Sequence, residues 1–145
     1  LSDHANLLIF YLKNLLPKSW KIIPLINISE KKLINYLSKS KFFLSFSNLE
    51  GIGIPPIEAA LAGNKVIGYT GGGGIEYWKL PIFKKIEPGE IDDFGQVLLK
   101  EIKNYKPDWI KKSKKYRKQL SKQYSEKNQT KSLINLIKNI KKFYI

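Results

Sequence analysis

Apolar residues at the start of the chain, Leu7, Leu8, Phe10, Tyr11, Leu12, Leu15 and Leu16, recur at three- and four-residue spacing, the period of a helix with one buried face. Ser2 and Asp3 are residue types that cap a helix, and Pro17 closes the run, so a short amphipathic helix is expected there. From Trp20 to Ile28 the pattern reads as a strand interrupted by Pro24. Ser29 and Glu30 then open a second helix through Tyr36 and Leu37 to about Ser40.

Lys41 to Phe46 is a short apolar and aromatic run of strand type. It leads into a Gly/Pro-rich loop from Ser47 to Pro55 and then a helix from Pro56 to Leu61, ending at Gly63. Proline at the front and glycine at the back is the asymmetry that helix ends favour. Lys65 to Tyr69 reads as the next strand, Thr70 to Gly74 as a loop, Ile75 to Trp78 as a helical turn, and Phe83 to Ile86 as a last strand. Strands alternating with helices in this order predict an α/β fold on a parallel sheet. Beyond Pro88 the chain reads as helix, from Ile91 to Tyr105, about Pro107 to Tyr124, and Ser125 to Phe143. Residues 91–145 are thus expected to form a mainly helical tail. Its lysine-rich middle helix has few apolar positions and reads as a surface element.

The length of 145 residues fits one domain, residues 1–145, burying about two-thirds of its unfolded surface. The 43% hydrophobic share contains no run of 18 apolar residues, which argues against a membrane-spanning helix. The chain has no cysteine, so disulfides, thiolate metal sites and a cysteine nucleophile are excluded, and a reducing, cytoplasmic setting is permitted. The opening LSDHANLLIF has neither a signal peptide's basic start and cleavage site nor an initiator methionine, which fits a fragment of a longer protein. The net charge of +14 is concentrated at one end: residues 100–145 hold 15 of the 26 Lys and Arg but 3 of the 12 acidic residues. Such a tail is a solvated face, an attractant for an anionic membrane surface, or, least favoured, a nucleic-acid contact.

Candidate chemistry lies in the two loops. Ligands of open parallel sheets bind at the carboxyl ends of the strands, and both loops are expected on that rim. The first, Ser47-Asn48-Leu-Glu50-Gly51-Ile52-Gly53-Ile54-Pro-Pro, puts main-chain N–H groups ahead of a helix N-terminus, in outline an anion site. The second, Thr70 to Gly74 with Gly72 and Gly73 at its centre, has no side chains to block approach. Glu50 and Glu58 bracket the junction of the first loop and its helix. Carboxylates accept from sugar and ribose hydroxyls, so each suits one ring, although a Glu expected in the first helical turn also merely stabilises the helix dipole. Glu76 divides in the same way between a dipole residue and a wall of the site.

The stretch from Phe43 to Tyr69 followed by Thr70-Gly-Gly-Gly-Gly-Ile-Glu-Tyr77 resembles the C-terminal domain of GT-B fold glycosyltransferases, particularly the retaining family-four type and rhamnosyltransferase-like relatives. The shared signature is E-x7-E with E-G-x-G-x-P-x-x-E-A inside it. The resemblance implies a Rossmann-like sheet with flanking helices and a donor site for a nucleotide-activated sugar, transferred with retention to a polysaccharide or glycolipid acceptor. It gives Glu50 the donor sugar as catalytic residue, Glu58 the nucleotide ribose, and the backbone of Gly51, Ile52, Gly53 and Ile54 the phosphate and sugar, with Ser47 and Asn48 lining the same pocket. It implies no metal and no cofactor. The basic pair that usually precedes the first helices of such a domain is not recognisable, which leaves phosphate neutralisation incomplete. The N-terminal acceptor domain lies outside this sequence, so the chain alone is expected to bind donor weakly and transfer nothing.

The remaining candidates are weaker. His4, the one histidine, has no partner spacing for a metal or a triad. Trp20, Trp78 and Trp109 are expected to pack rather than stack on a ligand, with Trp78 the exception to test because it follows the glycine loop. The last helix has Leu133, Ile134, Leu136, Ile137, Ile140 and Phe143 at helical spacing, a core or domain-docking face before a membrane-inserting one. Against the transferase stands a second class, a non-catalytic nucleotide- or nucleic-acid-binding module that uses the basic helices.

Overall fold

The computed structural model describes residues 2–143, and the side chains of residues 2–139. Helix α1 is Asp3–Leu12, with the Ser2 hydroxyl accepting from the Ala5 N–H at 3.2 Å as its cap. It ends before Pro17, because Leu15 and Leu16 both turn back onto the Leu12 carbonyl and the residue ahead of a proline is pushed out of the helical region. The expected strand from Trp20 to Ile28 is not formed; that stretch has no strand pairing. Pro24 has no N–H to give to a ladder, and Asn27 takes a left-handed conformation at φ 48°. Helix α2 is Glu30–Lys39.

Strands β1 (Phe42–Ser45), β2 (Lys65–Gly68) and β3 (Phe83–Lys85) form one parallel sheet in the order β1-β2-β3. Helix α3 (Ile54–Leu61) crosses from β1 to β2, and a 3₁₀ turn at Tyr77–Lys79 precedes β3. Helix α4 is Ile91–Lys103. The single helix expected from Pro107 to Tyr124 divides into α5 (Trp109–Lys112) and α6 (Lys114–Gln123). At the break the buried Ser113 turns its hydroxyl back onto the Ile110 carbonyl, a local bond that competes with the helix ladder. Helix α7 is Glu126–Phe143; the side chains of Ile140 and Phe143 lie outside the described residues.

Alternation along a strand sends successive residues to opposite faces, and Val66 and Ile67 accordingly belong to two cores. On one face Val66 packs with Leu37, Ile57, Tyr77, Trp78 and Leu120 from α2, α3, the 3₁₀ turn and α6. On the other, Ile67 packs with Leu8, Leu12, Phe94 and Leu98 from α1 and α4. The protein is thus a mixed α/β fold, a small parallel sheet between two helical layers with a helical C-terminal segment. No helix of the described residues is long and apolar enough to cross a membrane.

Candidate functional site

The sheet register decides where the loops go. Ser45 lies opposite Gly68 in the parallel pair β1 and β2, so the chain leaves both strands at one edge and the two loops emerge side by side. That edge carries the carboxyl ends of the strands, the ligand-binding rim of such sheets.

The loops touch through their main chains. The Glu50 N–H donates to the Gly71 carbonyl at 2.7 Å. A Cβ added to Gly73 would collide with the Gly51 carbonyl oxygen, so glycine there permits a backbone-to-backbone approach. From below, the Tyr77 hydroxyl reaches the Ile52 and Gly53 carbonyls at 2.9 and 3.0 Å. Gly53 holds φ 72° immediately before α3, a conformation open to glycine at little cost. The glycine loop was expected to leave its backbone clear for a ligand. Instead Gly73 is packed against the first loop and Gly53 against Tyr77, while Gly51 and Gly72 have nothing within 4 Å of an added Cβ.

The N–H groups of Gly51, Ile52, Gly53 and Ile54 donate to no other group among the described residues. Helix α3 begins at Ile54, two residues earlier than its sequence pattern indicated, because prolines are tolerated in a first turn where N–H groups have no partner anyway. Pro55 and Pro56 contribute no N–H. The anion-binding capacity of this helix end therefore rests on Ile54 and the loop amides ahead of it.

Glu58 is not in the first turn but is the fifth residue of α3. The helix-dipole effect falls off within the first turn, so the dipole role considered for Glu58 loses its footing. Its exposed side chain lies on the same helix face as the exposed Ile54, four residues earlier. Glu50 is exposed as well, and its Oε1 accepts from the Ser47 hydroxyl at 3.0 Å. Asn48 is exposed beside it. Glu76 is tied to a different element: its Oε1 accepts from the Tyr124 hydroxyl at 2.7 Å. That bond, then a hydrogen bond from its own backbone and last the nearby Lys79, hold the Glu76 carboxyl below its ordinary value, while burial and then Glu76 push the Tyr124 phenol up.

Sequence reasoning missed the apolar part of the rim. Leu49 is 89% exposed, and Ile52, Ile54 and Ile75 are exposed alongside it. Large apolar side chains gathered on two touching loops mark a contact surface; their crowding between glycines was the available signal. It also missed Tyr77 and Tyr124, whose hydroxyls find loop partners far along the chain. Charge is unevenly set here: residues 46–78 contain Glu50, Glu58 and Glu76 but one cation, Lys65. Lys65 is turned elsewhere, 2.6 Å from Glu101 and 4.6 Å above the Trp109 ring.

The other candidates are structural. Trp78 is buried with Tyr77 and Phe83. Trp20 packs on Phe42, Trp109 donates to the Gly63 carbonyl, and His4 sits edge-on to Tyr69. Among the described residues no three His, Cys, Asp or Glu side chains gather as a cation site. A cavity of about 920 Å³ lies between the Trp20–Ile28 run and β1, lined by Ile22, Leu25, Phe42 and Leu44; it reaches Phe46 and Pro55 at the two ends of the first loop, but neither Glu50 nor Glu58 lines it. Compared with protein-family models, curated proteins and solved structures, the chain has no significant match.

Proposed function

We propose that this chain is the donor-binding part of a glycosyltransferase, taking a nucleotide-activated sugar on the rim formed by the two loops. In this reading the fold is the Rossmann-like C-terminal half of a GT-B enzyme. The observation that carries it is the pair Glu50 and Glu58, both exposed, on either side of a positive-φ glycine whose neighbouring amides are unengaged. Glu50 faces the sugar as catalytic residue, with Ser47 orienting its carboxylate. Glu58 accepts from the ribose diol, since an ionised carboxylate accepts two hydroxyls at once. The amides of Gly51 to Ile54 receive the phosphates, and Ile52 and Ile54 give apolar area to base or sugar. Gly72, which faces open space, bounds the other side, and Gly73 supports it from within.

Residues 46–78 carry three carboxylates and one cation, Lys65, which is held by Glu101, so this stretch offsets diphosphate poorly. A second domain, which also reads the acceptor, is expected to supply that charge, so transfer requires more than this chain. The same reading places the protein at the cytoplasmic side of a membrane, where polysaccharide or glycolipid precursors are assembled.

The test is a saturation-transfer NMR screen of the chain against UDP-, GDP-, ADP- and dTDP-sugars, with Glu58→Ala alongside. Binding of one nucleotide class that vanishes in the variant supports the proposal. Equal binding by wild type and variant, or binding by neither in the presence of an added second domain, overturns it. A nucleotide- or nucleic-acid-binding module using α5 and α6 would instead show losses confined to Lys111, Lys112, Lys114 and Lys115.

A further inference from the structure

Helix α7 is exposed along its described length, and no carboxylate of the described residues pairs with its lysines. Leu133, Ile134, Leu136 and Ile137 are between 46% and 56% exposed. With i, i+3 and i+4 residues sharing a helix face, Leu133, Leu136 and Ile137 form one stripe, and Ile134 widens it on one side. Beyond Ile134 comes a second stripe. Lys127, Lys131 and Lys138 fall within an arc of about 40° at 3.6 residues per turn. The one acidic residue of α7 is Glu126, in its first turn.

We propose that α7 lies along an anionic lipid surface, with the leucines and isoleucines in the headgroup–acyl boundary and the lysine stripe on lipid phosphates. Each stripe excludes a different partner. A nucleic-acid contact needs the lysines and gains nothing from four exposed aliphatic side chains. A protein-docking face needs the aliphatic residues, yet a flank of one sign repels most cationic surfaces, including a second copy of this chain at +14. The two side by side are the pattern of a helix lying in a membrane interface, where lysine stems run over the apolar band and their ammonium groups reach the phosphates. Lys127 and Lys131 are an i, i+4 like-charge pair, unfavourable in water and relieved beside phosphate.

Such docking also orients the rim. Tyr124 follows α6 two residues ahead of α7, and its hydroxyl donates to Glu76 beside the glycine loop. That bond links the edge of the glycine loop to the chain just ahead of the lipid-bound helix. The lipid surface is met by α7 whatever the rim binds.

The experiment is co-sedimentation of the full chain with phosphatidylcholine vesicles and with vesicles that also contain phosphatidylglycerol, at low and high salt. Leu136→Glu/Ile137→Glu and Lys127→Gln/Lys131→Gln/Lys138→Gln are run alongside, with thermal melts to show that each variant is folded. The proposal expects binding to the anionic vesicles alone, loss of most of it at high salt, and at least about a tenfold loss in each variant. Equal binding to both vesicle types overturns it, as does no binding to either. So does anionic binding that survives Leu136→Glu/Ile137→Glu while DNA binds equally well, the mark of a purely electrostatic nucleic-acid patch. Lipid-free self-association in analytical ultracentrifugation, abolished by the same substitution, would make the stripe a contact between copies.

Discussion

The Tyr77 hydroxyl lies 3.0 Å from the Gly53 carbonyl and 2.9 Å from that of Ile52, so one phenol proton serves two acceptors at the threshold of α3. Burial pushes the Tyr77 phenol up, and the charges of Glu76 and Glu50 act in the same sense, so it keeps that proton at neutral pH. The Tyr77 ring is fixed in the core against Phe83 and Trp78. The direction in which the Gly51 to Ile54 amides point is therefore set from beneath by an aromatic side chain in the next connection.

Removing the hydroxyl tests that dependence. Tyr77→Phe keeps the ring packing and leaves two carbonyls short of a donor, so it is expected to cost about 1–3 kcal/mol of stability, the range for unpairing a buried polar group. If the phenol orients the amides, nucleotide-sugar affinity falls as well, at temperatures where the variant is fully folded. A denaturant titration paired with NMR binding separates the two effects. Unchanged affinity in a folded Tyr77→Phe would show that the loop sets its own geometry.

The glycine loop makes a sharper contrast. Gly72→Ala adds a methyl group in open space and is strained only by its φ of 81°, costing about 1–2 kcal/mol. Gly73→Ala drives a methyl group into the Gly51 carbonyl oxygen, and backbone cannot turn aside as a side chain can. The second variant is expected to melt at the lower temperature and to shift amide resonances of residues 50–53 in a proton–nitrogen spectrum, whereas the first shifts those near Gly72 alone. Similar spectra for both would contradict the loop-to-loop contact.

How far these features could be read in the sequence depends on the distance over which they are determined. The three parallel strands and the helix following each loop were legible because period and end signals are local: Ser2 as a cap, Pro56 near the front of α3, Gly63 at its end. Residues Trp20 to Ile28 misled because their apolar spacing fits a strand while Pro24 and Asn27 deny it a ladder. Glu50 and Glu58 stood out by their spacing around the glycines. What could not be read was the use of Gly73 and Gly53 for packing, since their neighbours Gly51 and Tyr77 come from the opposite loop. The bond from Tyr124 to Glu76 joins residues separated by 48 positions, a pairing that no local pattern records.

That bond should leave its mark on pH dependence. The Glu76 carboxyl is held below its ordinary value of 4.5, chiefly by the Tyr124 hydroxyl, so the stability it contributes is present above 4.5 and disappears as pH falls through its folded value. The Tyr124 phenol is pushed above its ordinary value of 10.0, so its share is present below 10.0 and is lost as pH rises toward the folded value. Thermal melts of wild type should therefore decline at both ends. In Tyr124→Phe both declines should be shallower, because the partner of each charge change is gone. Equal slopes in the two proteins would mean that solvent screens the pair completely.

Charge also separates the two readings of the molecule. If main-chain amides meet the phosphate on the rim, with Lys65 the one cation of residues 46–78 and engaged by Glu101, the diphosphate of a nucleotide-sugar should gain little from ion pairing. Its affinity for this chain should change by less than about threefold when salt is raised from low to physiological strength, since little counterion is released. The exposed Lys111, Lys114 and Lys115, and Lys112 with its Asp108 partner, belong to α5 and α6. Replacing these four by Gln should leave nucleotide-sugar binding unchanged. If α5 and α6 were instead the working surface of a nucleic-acid module, the same replacement would abolish binding, and wild-type affinity would fall steeply with salt, by roughly one power of the salt concentration for each phosphate neutralised. Isothermal titration across a salt series, on wild type and the four-lysine variant, gives both slopes. A steep slope that the variant removes would reassign the function to the basic helices, and a flat slope that the variant keeps would leave the rim as the place where phosphate is bound.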